Sequence, residues 1–200
     1  MIQSIEALRR VYIAPKGRAV QKQIDHIDAH CARFIALSPF VVIASGDERG
    51  ALDASPRGGV PGFVRVADAH TLLIPDSPGN NRLDTLTNIV ISGNVGLLFM
   101  IPGVDETLRV NGRAQLNDDA AIIATFADEK RTPKLVIEIT VIDAYLHCAK
   151  AFMRSQLWSA ASVVDRATLP TMGEMLSDQT GMPGAPETQV EMRVRYAADL

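Results

Sequence analysis

The sequence predicts a mainly β protein of the α+β class, six strands forming a small closed or split barrel with peripheral helices. Three observations carry this. Short apolar or alternating runs recur from Phe40 to Ile142 with turn residues between them. Few helical periods interrupt those runs, so the full βαβ crossovers of a parallel sheet are missing. The composition, 47% hydrophobic and 22% charged, can bury enough apolar surface to offset chain entropy.

The elements follow in order. From Ala19 to Leu37, Val20, Ile24, Ile27, Cys31, Phe34 and Ile35 recur at spacings of three and four, one face of an amphipathic helix that Ser38 and Pro39 end. Phe40 to Ala44 is short, continuous and apolar; the turn Gly46 to Gly50 and a second extended run ending near Ser55 complete a hairpin. Phe63 to Ala67 and Thr71 to Ile74 form another, with Asp68 and Ala69 at its turn and a breaker cluster from Pro75 to Gly79 after it. Between Asn80 and Ser92, Leu83, Leu86, Ile89 and Val90 give a short helix that Asn80 or Asn81 can cap.

Val95 to Ile101 is an unbroken apolar strand. Glu106 to Leu116 alternates, Leu108, Val110, Ala114 and Leu116 against Arg109, Asn111, Arg113 and Gln115, and so is half-buried. A helix at Asp118 to Ala127 precedes a buried strand from Leu135 to Ile142, inside which Glu138 needs a partner. Beyond Trp158 the pattern weakens to a helical stretch at Met172 to Leu176, a Pro/Gly-rich piece from Gly181 to Pro186, and strand-like alternation from Val190 to Tyr196.

Charge and cysteine content narrow the function classes. A formal charge of -3 with no long basic run argues against a nucleic-acid partner. Two cysteines outside any CxxC pair suggest neither a disulfide framework nor structural zinc. No run approaches the roughly 20 apolar residues that span a bilayer, and Met1 to Arg10 lacks a signal-peptide core, so no membrane association and a cytoplasmic location are expected. His26 and His30 have a metal-compatible spacing, but Ile27 stands where a zincin has glutamate, so no metal is expected. Cys148 beside His147 is not read as a nucleophile, because adjacent helical residues point apart.

Two segments can receive an anion. Asp53-Ala-Ser-Pro-Arg-Gly-Gly59, at a strand end, offers the Ser55 hydroxyl, the Arg57 guanidinium and glycines, Gly58 among them, that let backbone amides come close. Pro78-Gly-Asn-Asn-Arg-Leu-Asp84 opens the short helix, where free N–H groups and the positive dipole end meet Asn80, Asn81 and Arg82. An ordinary polar turn and an ordinary helix cap account equally for each segment alone. A third segment, His147 to Trp158, sets Lys150, Arg154 and Ser155 on one helical face, where a surface cationic helix is the alternative.

The order of these pieces, with Val95-Gly-Leu-Leu-Phe99 and Glu106-Thr-Leu-Arg-Val-Asn-Gly-Arg-Ala114, resembles the pyridoxamine-phosphate-oxidase-like family over roughly Pro39 to Leu116. It is most similar to a branch sharing Asp53 to Gly58, Pro78 to Asp84 and a Cys148-Ala-Lys-Ala-x-x-Arg-Ser-x-Leu-Trp158 segment. The resemblance implies a six-stranded Greek-key split barrel at residues 39–158, after an N-terminal helical segment at 1–38. A C-terminal extension at 159–200 would pack on the barrel or a dimer partner. It further implies a homodimer with FMN at the subunit interface, its phosphate held by Ser55, Arg57, Asn81 and Arg82, and Lys150 or Arg154 near the flavin. The family's oxidases carry an arginine where Ser55 falls and Ser-Arg-Lys where this chain has Asn80-Asn81-Arg82. The implied activity is hydride or electron transfer between FMN and a small substrate. The arginine-containing C-terminal motif by which those oxidases grip pyridoxamine phosphate has no close counterpart after Trp158. A non-catalytic flavin-binding protein and a haem-handling split barrel are the alternatives.

Overall fold

The computed structural model describes residues 1–76, 79–181 and 183–197. By internal contacts the chain divides into two compact units, Met1–Trp158 and Ser159–Leu200. Ser77 and Pro78 of the breaker cluster, and Met182 of the Pro/Gly-rich piece, lie outside the described residues.

The first unit is built on one antiparallel sheet of seven strands, one more than the sequence suggests: β1 (Phe40–Gly46), β2 (Leu52–Gly58), β3 (Arg65–Asp68), β4 (Thr71–Pro75), β5 (Asn94–Met100), β6 (Thr107–Asn117) and β7 (Val136–His147). Their order is β2-β1-β5-β6-β7-β4-β3. The hairpins β1–β2 and β3–β4 form where turn residues separate the apolar runs, and they end up at opposite edges of the sheet. Apolar side chains from β1, β4, β5, β6 and β7 meet in a single buried cluster, with Val41, Ile43, Ile74, Phe99, Leu108, Val110 and Ile137 at 2% exposure or less. A flat sheet would hold these strands apart. The sheet is therefore curled on itself with its edge strands β2 and β3 not paired to each other, which is a split barrel.

Bending the two longest strands requires a break in register. Asn111 faces Asp143, but Gly112 faces Val141, leaving Ile142 unmatched in β7. Such a bulge increases local twist. Gly112 is required there, since a Cβ at that position would lie 2.4 Å from the Thr140 carbonyl oxygen. The pairing with β6 also carries β7 to His147, five residues past the apolar run that ends at Ile142. Glu138 finds its partner in Asn117, whose Nδ2 donates to it at 2.7 Å.

Among its described residues the first unit holds six helices, α1 (Ile5–Val11), α2 (Arg18–Gln21), α3 (Ala29–Leu37), α4 (Asp84–Ser92), α5 (Ala120–Ala124) and α6 (Lys150–Ser155), of which α3 and α4 bury residues against the sheet. The single helix expected over Ala19 to Leu37 is broken. Ile24 instead exchanges two backbone hydrogen bonds with Ala144, of 3.0 and 2.8 Å, and the Ile27 N–H donates to the Ala69 carbonyl at 2.7 Å. The Asp28 side chain then accepts from Cys31 N–H and starts α3. Ile27, Cys31 and Ile35 are buried as the periodicity requires. An N-cap competes with helix continuation, and here the cap wins because the preceding backbone has strand partners.

Helix α4 buries Leu86 and Ile89 and ties its polar positions to the first hairpin. Asn88 donates to Ser45 Oγ at 3.0 Å and Ser92 Oγ to the Gly46 carbonyl at 2.8 Å. Gly93, with φ of 66°, closes the helix in the left-handed region. The helix expected at Asp118 to Ala127 contracts to α5, after which Phe126 is fully buried beside Leu73 and Val136.

The second unit holds two 3₁₀ turns and the helices α7 (Met172–Thr180) and α8 (Gln189–Ala197). Thr171 and Glu174 form a capping box at the start of α7. Val190 to Tyr196, strand-like by alternation, is helical in α8. Reciprocal bonds between Thr188 and Glu191 nucleate it, and Arg195 pairs with Glu187 at 2.8 Å. Val190 and Val194 share a face at i,i+4 as well as at period two, so alternation alone could not separate the two structures. Among the described residues no helix is long and apolar enough to cross a membrane.

Candidate functional site

The two anion-receiving segments are about twenty-five positions apart in sequence, and the fold makes them opposite walls of one cavity. The connection runs through α4. Thr85 in its first turn is buried and donates to the Asp53 carboxylate in β2, which holds the start of the helix against the strand.

The first segment is not a loop of backbone amides but an edge strand. Leu52 to Gly58 pairs in full register with β1, Ser55 opposite Ile43 and Arg57 opposite Val41. Pro56 is tolerated because β2 has a neighbour on one side only. Alternation then does what the glycines were expected to do. Asp53, Ser55 and Arg57 are the half-buried positions of an exposed–intermediate pattern and share one face of the strand. Arg57 Nη1 donates to Ser55 Oγ at 2.6 Å and to the Pro56 carbonyl at 3.0 Å, which fixes the guanidinium over the strand.

The second segment also differs from expectation. Helix α4 begins at Asp84 with Leu83 as its N-cap and no side-chain cap bond, so neither Asn80 nor Asn81 caps it. Asn80 Oδ1 accepts from the Arg82 N–H at 3.0 Å in a local turn, and Asn81 takes φ of 59°, a left-handed value asparagine tolerates better than most residues. Arg82 Nε donates to Asp84 at 2.5 Å. A guanidinium has five N–H donors, so this bond does not exhaust Arg82. The first turn of α4 carries a carboxylate of its own at Asp84, which is the usual complement to the positive end of a helix.

Together these residues line a cavity of about 680 Å³: Ser55, Arg57 and Gly58 from β2, and Asn80, Asn81 and Arg82 from the approach to α4. The far wall was not legible in the sequence. Arg131, Thr132 and Lys134 come from the loop before β7, and Asp76 from the end of β4. The Asp76 N–H donates to the Leu135 carbonyl at 3.0 Å, binding that loop to the strand. Arg65 anchors its other end, donating to the Thr125 carbonyl and to Asp128 while its guanidinium lies 4.4 Å over the Phe126 ring. Burial pushes the Asp76 carboxyl up, opposed by Arg57 and Lys134. Four cations, three hydroxyls and two side-chain amides thus line one cavity. That donor set suits a phosphate ester, for which guanidinium groups supply bidentate contacts.

Lys150, Arg154 and Ser155 do lie on one short helix, α6, but they are absent from the lining of this cavity. They follow the far end of β7, a strand of 12 residues whose near end leads from Lys134. At about 3.3 Å per residue the strand separates them from the cavity by up to about 35 Å along its path. Ser155 Oγ donates to the Phe152 carbonyl at 3.0 Å, Phe152 stacks on Trp158 at 5.6 Å, and Trp158 Nε1 donates to the Val104 carbonyl at 2.9 Å. At the end of β7, burial lowers the pKa of His147, and Arg109 and Lys22 lower it further.

The pair His26 and His30 does not share a helix: His26 precedes α3 and its Nδ1 lies 2.9 Å from Asp25. Among the described residues no group of three or more His, Cys, Asp or Glu is arranged to hold a metal ion. Cys148 is exposed, whereas burial pushes the Cys31 thiol up to about 11.

Comparison with known proteins agrees with this architecture. Two solved structures of HupZ from Group A Streptococcus, one of them a histidine-to-alanine variant, are 18% identical to the chain. They have TM-scores of 0.50 and 0.51, cover 60% of this chain, and are themselves covered to 93% and 99%. An FMN-binding protein from Syntrophomonas wolfei is 11% identical with a TM-score of 0.46, over 72% of this chain and 97% of that one. At 18% identity the likeness to the HupZ structures is one of fold. No curated protein matches the chain. Residues 27–148, more than half of the sequence and the whole of the barrel, match the family of pyridoxamine 5'-phosphate oxidase, and the chain belongs to that family.

Proposed function

We propose that this chain binds FMN, with the phosphate between Arg57 and Arg82, and that it is an oxidoreductase exchanging hydride or electrons with a small substrate. Membership of the pyridoxamine 5'-phosphate oxidase family supports a flavin cofactor. The observation that carries the choice of site is the convergence of Ser55, Arg57, Asn80, Asn81 and Arg82 on one cavity from two separate elements. Arg57 and Arg82 hold the phosphate by charge-assisted bonds, Ser55 keeps the Arg57 guanidinium in place, and Gly58 lets the ligand pass close to the strand. FMN, when bound, supplies the hydride acceptor, so no protein nucleophile is needed.

Lys150, Arg154 and Ser155 belong to the site only in a homodimer. They stand far along β7 from the cavity of their own chain, so their cationic face serves a flavin held by the partner. A positive group there would stabilise a reduced anionic flavin. The dimer is proposed as cytoplasmic.

The test is the spectrum of the purified protein and its titration with FMN. Bands near about 370 and 450 nm that stay with the protein on gel filtration are expected for a bound flavin. A Soret band would replace this proposal with haem handling, and a colourless protein that leaves added FMN unbound would refute it. Turnover with a reduced nicotinamide donor then separates an enzyme from a flavin carrier.

A further inference from the structure

The phosphate cavity contains a carboxylate of its own. Among its lining residues Arg57, Arg82, Arg131 and Lys134 are cationic and Asp76 alone is anionic. The Asp76 backbone is held beside them, because its N–H is bonded to the Leu135 carbonyl, next to Lys134, and it directly follows the paired strand β4. Arg57 from β2 and Lys134 from the loop before β7 are the charges acting on it, while Arg82 and Arg131 share the cavity.

We propose that Asp76 is a specificity-determining residue: it is the carboxylate that shares the cavity with Arg57 and Lys134, and an anionic ligand enters this cavity together with one proton taken up by the Asp76 carboxyl. The inference rests on the phosphate-binding assignment for its choice of ligand and extends it to the charge and pH dependence of binding. A phosphate placed between Arg57 and Arg82 draws on a cation whose charge also acts on Asp76. Two anions held together in a half-buried site repel, and a proton on either relieves the repulsion; the guanidinium groups that hold the phosphate favour its ionised form, which leaves the proton to Asp76. Asp76 is suited to yield, since burial already favours its neutral form. The proton comes from solvent and resides on an Asp76 Oδ atom; no other bond changes.

The sign follows. Anion binding raises the Asp76 pKa, so the affinity for an anion increases as pH falls toward that of the carboxyl, and at higher pH the ionised side chain opposes entry. A neutral ligand of the same shape carries no such linkage. Asp76 thereby sets how strongly the cavity prefers one phosphate charge state over another.

Full-length protein and its Asp76→Asn variant are titrated with FMN and with riboflavin at about pH 5.5 and about pH 8, with Asp76→Ser as a second variant should the amide disturb folding. At the higher pH the Asp76→Asn variant is expected to bind FMN on the order of tenfold more tightly than the wild type, the gap closing at the lower pH. Riboflavin affinity is expected to be the same in both proteins. The phosphate's own titration near about pH 6 is common to both and cancels in their ratio. A wild-type to variant ratio that does not change with pH, or tighter binding by the wild type, overturns the inference while leaving FMN binding intact. If FMN binds neither protein, the flavin assignment fails, and sulfate, which does not titrate in this range, decides the question alone. A larger sulfate-induced rise in Tm for Asp76→Asn at the higher pH, closing at the lower, supports the role of Asp76. Equal rises overturn it.

Discussion

Thr85, at 3% exposure in the first turn of α4, donates its hydroxyl to the Asp53 carboxylate of β2 across 32 positions of sequence. This bond joins the two walls of the cavity. Thr85→Val keeps the shape and leaves the carboxylate without its donor, for an expected loss of about 1–3 kcal/mol. Thr85→Ser restores the hydroxyl and most of the stability. Denaturant unfolding of the three proteins checks this; equal stability of wild type and Thr85→Val would show that the bond is not part of the frame.

Gly112 sits at the bulge that curls β6 and β7. An alanine Cβ would meet the Thr140 carbonyl oxygen at 2.4 Å, a backbone atom that cannot rotate away. Gly112→Ala is expected to destabilise the barrel by about 1–3 kcal/mol, read from the unfolding midpoint. An unchanged midpoint would mean that the strands have slack at the bulge.

His147 gives the fold a pH dependence of defined sign. Its folded pKa is depressed by burial, and further by Arg109 and Lys22, so the unfolded chain binds the proton more tightly. Stability is lost as pH falls below the unfolded value of about 6.5 and continues to fall until the folded pKa is passed. His147→Gln should therefore lose less Tm than wild type between about pH 8 and about pH 5. Parallel acid profiles would remove His147 from the cause.

The partner-borne role of α6 has its own test. Arg82→Ala and a Lys150→Ala/Arg154→Ala double variant are each expected to weaken FMN binding as homodimers. After subunits are mixed at random, half the dimers are mixed and half of their sites have both sets intact, so about a quarter of all sites should regain wild-type affinity. No recovery on mixing would place both sets in the same subunit's site, or in none.

Most of the barrel is legible in the sequence because its signals are local. Alternation at Leu108, Val110, Ala114 and Leu116 marks β6, and turn residues mark both edge hairpins. What fails is set by distant partners. Nothing near Ile24 reveals that its backbone bonds to Ala144 rather than to its own helix, and nothing near Ile142 says that pairing with β6 carries β7 on to His147. The cavity divides the same way. Ser55, Arg57, Asn80, Asn81 and Arg82 sit in short polar motifs, and the structure brings them together. Arg131, Thr132, Lys134 and Asp76 belong to no motif. They reach the cavity because Pro75 pairs with Val136, which is a matter of register between strands sixty positions apart. That pairing was the available signal, since a buried apolar run beginning at Leu135 and another ending at Ile74 must end near one another if the strands are neighbours.

The central claim is that Arg57 and Arg82 hold the phosphate of FMN, and it is tested most directly by measuring FMN and riboflavin affinities of the wild type and of Arg82→Ala side by side. Charge-assisted contacts to a phosphate are lost only for the phosphorylated ligand, so FMN affinity should fall by about tenfold or more while riboflavin affinity stays unchanged. Equal FMN affinity in the two proteins, or an equal loss for both ligands, would contradict the assignment.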